Sequence, residues 1–458
     1  MSAEQRTPHS RSNQGLDLSH QPANPPERLR NVFCQAKSLL TNSTHIMATT
    51  VVTSLLGYAY WVLAARLYSP HDVGLAAALL SAMSLAALIV YMGVGSTLIQ
   101  LLPRRKPGRE QSLLITAAIA TILVGAGIGG IILVAILPSV SAKFDLLRAS
   151  MAVSATLAVG VVFTSLGTFV DDTTVARRSA RGMFIRNTSF SVVKIGVLLL
   201  PFCVTLGTSG ILFSWVVGAT ATALVGLLLL PRLVPGFKPC TRGAVSEMRR
   251  IVRRLAGNHM INLGGMLPIL LLPVLVTVRL DPAQGAYFYT TWRVGGLFFM
   301  ISPAVAAALM AEGAHRPADV AKTARLATGF IALLLVPVAL VMILSGKLVL
   351  SGFGPNYAVE GYPLLVALAF SAFPDSVTNV YTSVLRVRGR LSIAAWLYLS
   401  MAANALVMTW LLLPVMGITA VGVSWLVTQG LGSIFVWWDS RRSSPHAASR
   451  GAPEERRT

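Results

Sequence analysis

Apolar runs of about 20 residues recur along nearly the whole of this sequence. At a rise of about 1.5 Å per helical residue, such a run crosses the roughly 30 Å hydrocarbon core of a bilayer. No water reaches backbone N–H and C=O groups there, so each run is constrained to be a helix; open strands would leave their edges unsatisfied. Composition agrees. Only 12% of the 458 residues are charged, against about a quarter in soluble domains, and the mean hydropathy is +0.67. About twelve spans can be traced, beginning near residues 43, 75, 112, 151, 184, 209, 258, 285, 323, 362, 391 and 417. The expected fold class is all-α, a polytopic membrane protein of about twelve transmembrane helices.

The net charge of +21 raises the question of nucleic acid, and its placement answers it. If the spans alternate, only Arg66, Lys143, Arg148, Arg279 and Lys347 lie on one side and only Lys194 and Arg293 lie within spans. All the rest of the 38 lysines and arginines share the side of both termini. By the positive-inside rule that side is the cytoplasm, so a multi-pass protein of the bacterial plasma membrane with cytoplasmic termini is expected. The excess reads as a topology signal and an attraction to anionic membrane lipids, with no nucleic-acid partner. Cys34, Cys203 and Cys240 have no metal or disulfide spacing. No cleavable signal sequence is visible, and the polar residues 1–41 and 439–458 read as disordered cytoplasmic tails.

Two stretches echo each other. "ARLYSPHDVGLA" from Ala65 and "VRLDPAQGAYF" from Val278 each end a span at Arg-Leu, turn through proline and start the next span at glycine. "VARRSARGMFIRN" and "VLRVRGRLSIAAW" form a second pair. Two six-helix lobes, 42–231 and 258–438, are therefore expected. An even number of spans per lobe makes the repeat parallel, with a cleft between the lobes. The linker 232–257 contains "AVSEMRRIVRRLAG", whose apolar residues fall at helical spacing opposite four arginines. It reads either as an amphipathic helix on the anionic leaflet or as a basic loop that only fixes topology. Loops on the far side have about a dozen residues at most, near 139–150 and 346–361. They leave no room for an external catalytic domain, and no enzymatic activity is expected.

"GAGIGG" from Gly125 matches a dinucleotide fingerprint, but it lies within an apolar span with no strand before it. Helix packing through Gly125 and Gly129 is the better reading. No GxxxxGK[ST] motif occurs, so no nucleotide partner and no cofactor are expected. The polar residues inside spans carry more information. Arg293 lies about 12 Å into the run that starts near Gly285, where a charge costs roughly 2.5–3.5 kcal/mol. It either faces a hydrated cleft, where its planar fork can hold an anion, or snorkels to the surface. Lys194 shares a helix face with Asn187 and Ser191, and either lines the same cleft or pairs with Asp171 or Asp172. Asp375 sits in a polar stripe with Ser371, Thr378, Asn379 and Thr382, beside Pro374. It is a candidate coupling residue, or a polar clamp between helices. Softer cavity-lining candidates are His45, Thr49, Thr53 and Tyr60 in the first span, and Ser81, Ser84 and Tyr91 in the second. Asn258, His259 and Asn262 join them in the seventh, which is expected to break at Pro268.

"RLYSPHDVGLAAAL", "GFGPNYAVEGYPLLVALAF" with "VLRVRGRL", and "GAYFYTTWRVGGLFFMISPAVAAALMAEGAH" resemble segments of the polysaccharide transporter family. That family includes the Wzx-type O-antigen flippases of the multidrug/oligosaccharidyl-lipid/polysaccharide exporter superfamily. The resemblance implies V-shaped lobes that open alternately to each side. It also implies export of a polyprenyl-diphosphate-linked oligosaccharide for cell-surface polysaccharide synthesis, possible assembly partners in the envelope, and a cationic cavity lined by helices one, two, seven and eight. Arg293 and Lys194 are then the expected contacts for the anionic head group. The alternatives are a cation-coupled drug exporter of the same superfamily, a polysaccharide polymerase, and a membrane scaffold.

Overall fold

In the computed structural model, residues 50–91, 93–177, 179–253, 258–315 and 320–442 are described. Helices account for nearly all of them, with no strand among the described residues. The N-terminal half consists of α1 (Thr50–Leu67), α2 (Pro70–Val90), α3 (Val94–Leu101), α4 (Arg109–Val140), α5 (Leu146–Ala149), α6 (Met151–Ala176), α7 (Ala180–Leu198), α8 (Pro201–Thr205), α9 (Thr208–Leu228) and α10 (Leu230–Leu233). The linker helix α11 (Ala244–Arg253) precedes the C-terminal half: α12 (Asn258–Arg279), α13 (Pro282–Gly295), α14 (Phe298–His315), α15 (Val320–Ser351), α16 (Pro355–Val387), α17 (Leu391–Met416) and α18 (Thr419–Arg442).

Among the described residues, ten helices are long and apolar enough to cross a membrane, where the sequence suggests about twelve. The two other expected spans are α7 and the run that contains Arg293. Polar residues including Arg181, Arg186, Asn187 and Lys194 lower the hydropathy of α7. The run containing Arg293 is divided between α13 and α14 at Gly296 and Leu297. Two expectations are corrected. The seventh span does not break at Pro268, because α12 continues through Pro268 and Pro273; packed membrane helices tolerate proline where neighbours meet the freed groups. The loop expected over 346–361 shrinks to Gly352–Gly354, since α15 and α16 extend into it and Gly354, at φ 151, turns the chain.

The echoing turns have the same local construction. Ser69 caps α2 by accepting from Asp72 N at 3.1 Å, and Asp281 caps α13 by accepting from Gln284 N at 2.9 Å. Proline follows each cap, where its missing N–H costs nothing. The capped ends also meet: a Cβ on Gly74 would lie 1.6 Å from Pro282 O, so glycine is required for α2 to lie against α13. The "GAGIGG" segment packs as a small-residue surface. Val90 sits on Gly125 and Gly129, and the Ala158 backbone lies against Gly130.

Helix α11 packs on α4. Its Glu247 is buried at that contact and receives Arg105 Nη2 at 2.7 Å. The linker is thus fastened to the N-terminal half, with Val245 and Arg249 exposed. Replacing Arg105 with methionine removes one charged hydrogen-bond donor from a buried carboxylate and should destabilise this contact by about 1–3 kcal/mol. The expected readout is faster proteolysis between residues 232 and 257 in detergent-solubilised protein; an unchanged rate would mean that the pair does not hold the linker.

Candidate functional site: a cationic cavity between the halves

A cavity of about 1400 Å³ separates the two halves. Helices α1, α2, α7 and α9 form one wall, and α12 to α18 form the other. It runs from Val349 and Phe353, at the face where α1, α12 and α15 end, to Asn187, Asn262 and Arg386 at the opposite face. The latter also holds the end of α18, and is called the terminal face below.

Lys194 enters from α7, with Asn187 and Ser191 on the same lined face, as their spacing requires. Its ammonium lies 4.0 Å from the Trp215 ring centroid, 4.6 Å from Phe190 and 4.8 Å from Tyr60. Three aromatic faces therefore replace a carboxylate. The alternative pairing with Asp171 or Asp172 does not form. Asp171 is held by the Arg186 guanidinium and Asn187, and Asp172 accepts from Tyr91 OH at 2.7 Å.

Arg293 occupies the last turn of α13, where a cation faces the negative end of the helix dipole. Its Nε and Nη2 lie 3.0 and 2.6 Å from Tyr289 OH, whose ring also underlies the guanidinium. The rest of the group is exposed toward the cavity. Among the described residues, neither Arg293 nor Lys194 forms a salt bridge.

Arg386 is a third cation on this surface and was not among the sequence candidates. It reaches Asn262 Oδ1 only weakly, at 3.5 Å, and its buried Nε has no hydrogen-bond partner. In the sequence it merges with the basic cluster "RVRGR". The signal that finds it is periodicity: Asp375, Asn379, Thr382 and Arg386 continue one stripe along α16.

Asp375 lies across the cavity in a closed polar network. Gln429 Nε2 donates to one carboxylate oxygen at 3.0 Å and Asn379 Nδ2 to the other at 2.8 Å. Tyr398 OH donates to Asn379 Oδ1 at 2.7 Å, and Thr378 Oγ1 bonds Gln429 Oε1 at 2.9 Å. The carboxylate has hydrogen bonds but no salt-bridge cation among the described residues.

The softer candidates divide. Thr53, Ser81, Ser84 and Asn262 line the cavity. Tyr60 does not; it is fully buried behind Lys194, with its hydroxyl on Ser214 at 2.9 Å. Tyr91 is engaged with Asp172 inside the N-terminal half. Helical spacing shows which residues share a face but not whether that face meets a cavity or a neighbouring helix. His45 and Thr49 lie outside the described residues, as do the side chains of Asn258 and His259. No cluster of potential metal ligands occurs among the described residues.

Two helical halves around a central cleft, with opposed polar surfaces inside it, define an all-helical, polytopic membrane fold. The chain belongs to the polysaccharide biosynthesis protein family, whose sequence profile matches residues 62–360. In structure it is similar to an inward-facing multidrug resistance MATE family transporter of the MOP superfamily. The identity is 13%, over 88% of this chain and 96% of that one, with a TM-score of 0.68. It is equally similar to the lipid II flippase MurJ in an inward closed conformation, at 10% identity, 86% and 87% coverage, and a TM-score of 0.68. An outward-facing MATE transporter superposes less well: 14% identity, 89% and 95% coverage, and a TM-score of 0.60. No curated protein matches the sequence.

Proposed function

We propose that this protein moves a polyprenyl-diphosphate-linked oligosaccharide from the cytoplasmic to the outer leaflet by alternating access, supplying cell-surface polysaccharide synthesis. The observation that carries this reading is the convergence of Lys194, Arg293 and Arg386 on one cavity, without salt-bridging carboxylates among the described residues. A lipid diphosphate cannot cross bare hydrocarbon, because desolvating its charge is prohibitive. Cavity cations offset that cost, and guanidinium groups match phosphate oxygens two at a time. Trp61, Trp215, Trp292 and Trp425 supply broad apolar faces on the same surface. Membership of a polysaccharide biosynthesis family supports this substrate class over a cationic drug, which the same three cations would repel.

With the terminal face in the cytoplasm, as the basic excess indicates, the anionic head group moves outward. An inside-negative potential favours that movement by about 2.3 kcal/mol per charge per 100 mV. The test uses proteoliposomes containing a fluorescent polyprenyl-diphosphate oligosaccharide, with dithionite quenching to report the exposed leaflet. Protein-dependent translocation accelerated by an inside-negative potential is expected. Efflux of a cationic dye without movement of the lipid would instead identify a drug exporter.

A further inference from the structure

The five cations on the face opposite the terminal one are not equivalent. Arg148 pairs with Asp145 in its own loop, Arg279 lies over Trp410, and Lys347 lies over Tyr362, all within one half. Arg66 and Lys143 instead reach across to the other half. Arg66 donates through Nε to Gly352 O at 2.9 Å and through Nη2 to Ser351 O at 2.8 Å. Lys143 Nζ donates to Thr277 O, Val278 O and Leu280 O, at 2.9, 3.0 and 2.5 Å. Tyr58 OH adds a bond to Val349 O at 3.1 Å.

Every donor in this set belongs to the N-terminal half, and every acceptor is a backbone carbonyl at the C-terminal end of α12 or α15. Apart from Val349 O, which also accepts from Gly352 N at 3.3 Å, these carbonyls have no backbone donor one turn ahead, and all lie at the negative end of a helix dipole, so a cation is their natural cap. Lys143 is aimed by its loop, which Phe144 and Leu147 pin into the core of the N-terminal half. Beside it, the contact of Gly74 with Pro282 leaves no gap between α2 and α13.

We propose that Arg66 and Lys143 are the closure latch of this face: two cations that hold the halves together by capping α12 and α15, and that release when the cavity opens here. The hydrogen bonds all go to peptide carbonyls, with the Asp281 carboxylate adding its charge near Lys143, so the latch senses helix position and is independent of substrate identity. It rests on alternating access but not on the transported molecule; a distance measurement without substrate can therefore fail separately from a transport assay.

The test places spin labels at Met151→Cys and Val359→Cys, both highly exposed near this face, with Cys34, Cys203 and Cys240 replaced by serine. Pulsed dipolar spectroscopy is recorded on the full chain in lipid nanodiscs. The Arg66→Gln/Lys143→Met variant is expected to gain a longer-distance population, with the closed-to-open ratio falling about tenfold for each cation removed. Arg148→Ala should leave the distribution unchanged. Should the double variant fail to fold, Lys143→Gln and Arg66→Lys carry the test, each with a smaller shift in the same direction. Distance distributions matching wild type in the variants that fold would overturn the latch, as would an equal shift in Arg148→Ala.

Discussion

Arg293→Ala is expected to slow translocation of a diphosphate-linked lipid by about ten- to hundredfold while leaving the protein folded in the membrane. A hydrogen bond to a charged group contributes about 1.5–3 kcal/mol. The guanidinium rests on Tyr289 and otherwise faces open space, so its removal leaves no buried acid uncompensated. Arg293→Lys should restore only part of the rate, because an ammonium keeps the charge but loses the planar fork. Lys194→Met should have a comparable effect on rate and a larger effect on stability, since the ammonium is packed among three rings. Initial rates in proteoliposomes, with thermal unfolding measured in parallel, separate these effects. A full-rate Arg293→Ala protein would remove Arg293 from the binding site.

Replacement of Asp375 by asparagine tests the opposite wall. If Asp375 couples ion movement to transport, the variant should lose its response to an imposed proton or sodium gradient yet retain downhill exchange. If it is a clamp between α16 and α18, the gradient response should persist and the melting temperature should fall. The geometry makes the clamp outcome measurable. Asparagine retains one acceptor for Gln429 and Asn379, but its amide group must face a second amide donor. Loss of that one bond is expected to destabilise the fold by about 1–3 kcal/mol whichever role is correct. Only the gradient response discriminates.

Much of the fold was legible because hydrocarbon leaves a chain few options. Apolar run length located the helices, and the Ser69-Pro70 and Asp281-Pro282 caps marked the same turn in both halves. Proline in membrane helices was the poor guide, since Pro268 interrupts no hydrogen bonding that the packed surroundings cannot accommodate. The candidate site was legible where a charge stood alone in an apolar run, as with Lys194 and Arg293. Arg386 was hidden because a cavity cation and a topology-setting cation look alike at the end of a span. The contacts of Lys143 were out of reach altogether: its carbonyl partners lie more than 130 positions away and are backbone atoms, which leave no mark on residue type.

The docking of α11 has a mechanical consequence. Taken as a free loop, the stretch between the halves would be a slack cord of some two dozen residues. With Glu247 fastened to Arg105, the leash shortens to the chain from Arg253 to Asn258. At about 3.6 Å per residue that length cannot exceed roughly 18 Å. On the alternating-access reading proposed above, this caps the stroke of the terminal face: its two edges part only until this leash is taut. A wider swing requires α11 to undock from α4 first. On the same reading, the Arg105–Glu247 pair limits how far these two edges separate, however much volume the cavity itself offers.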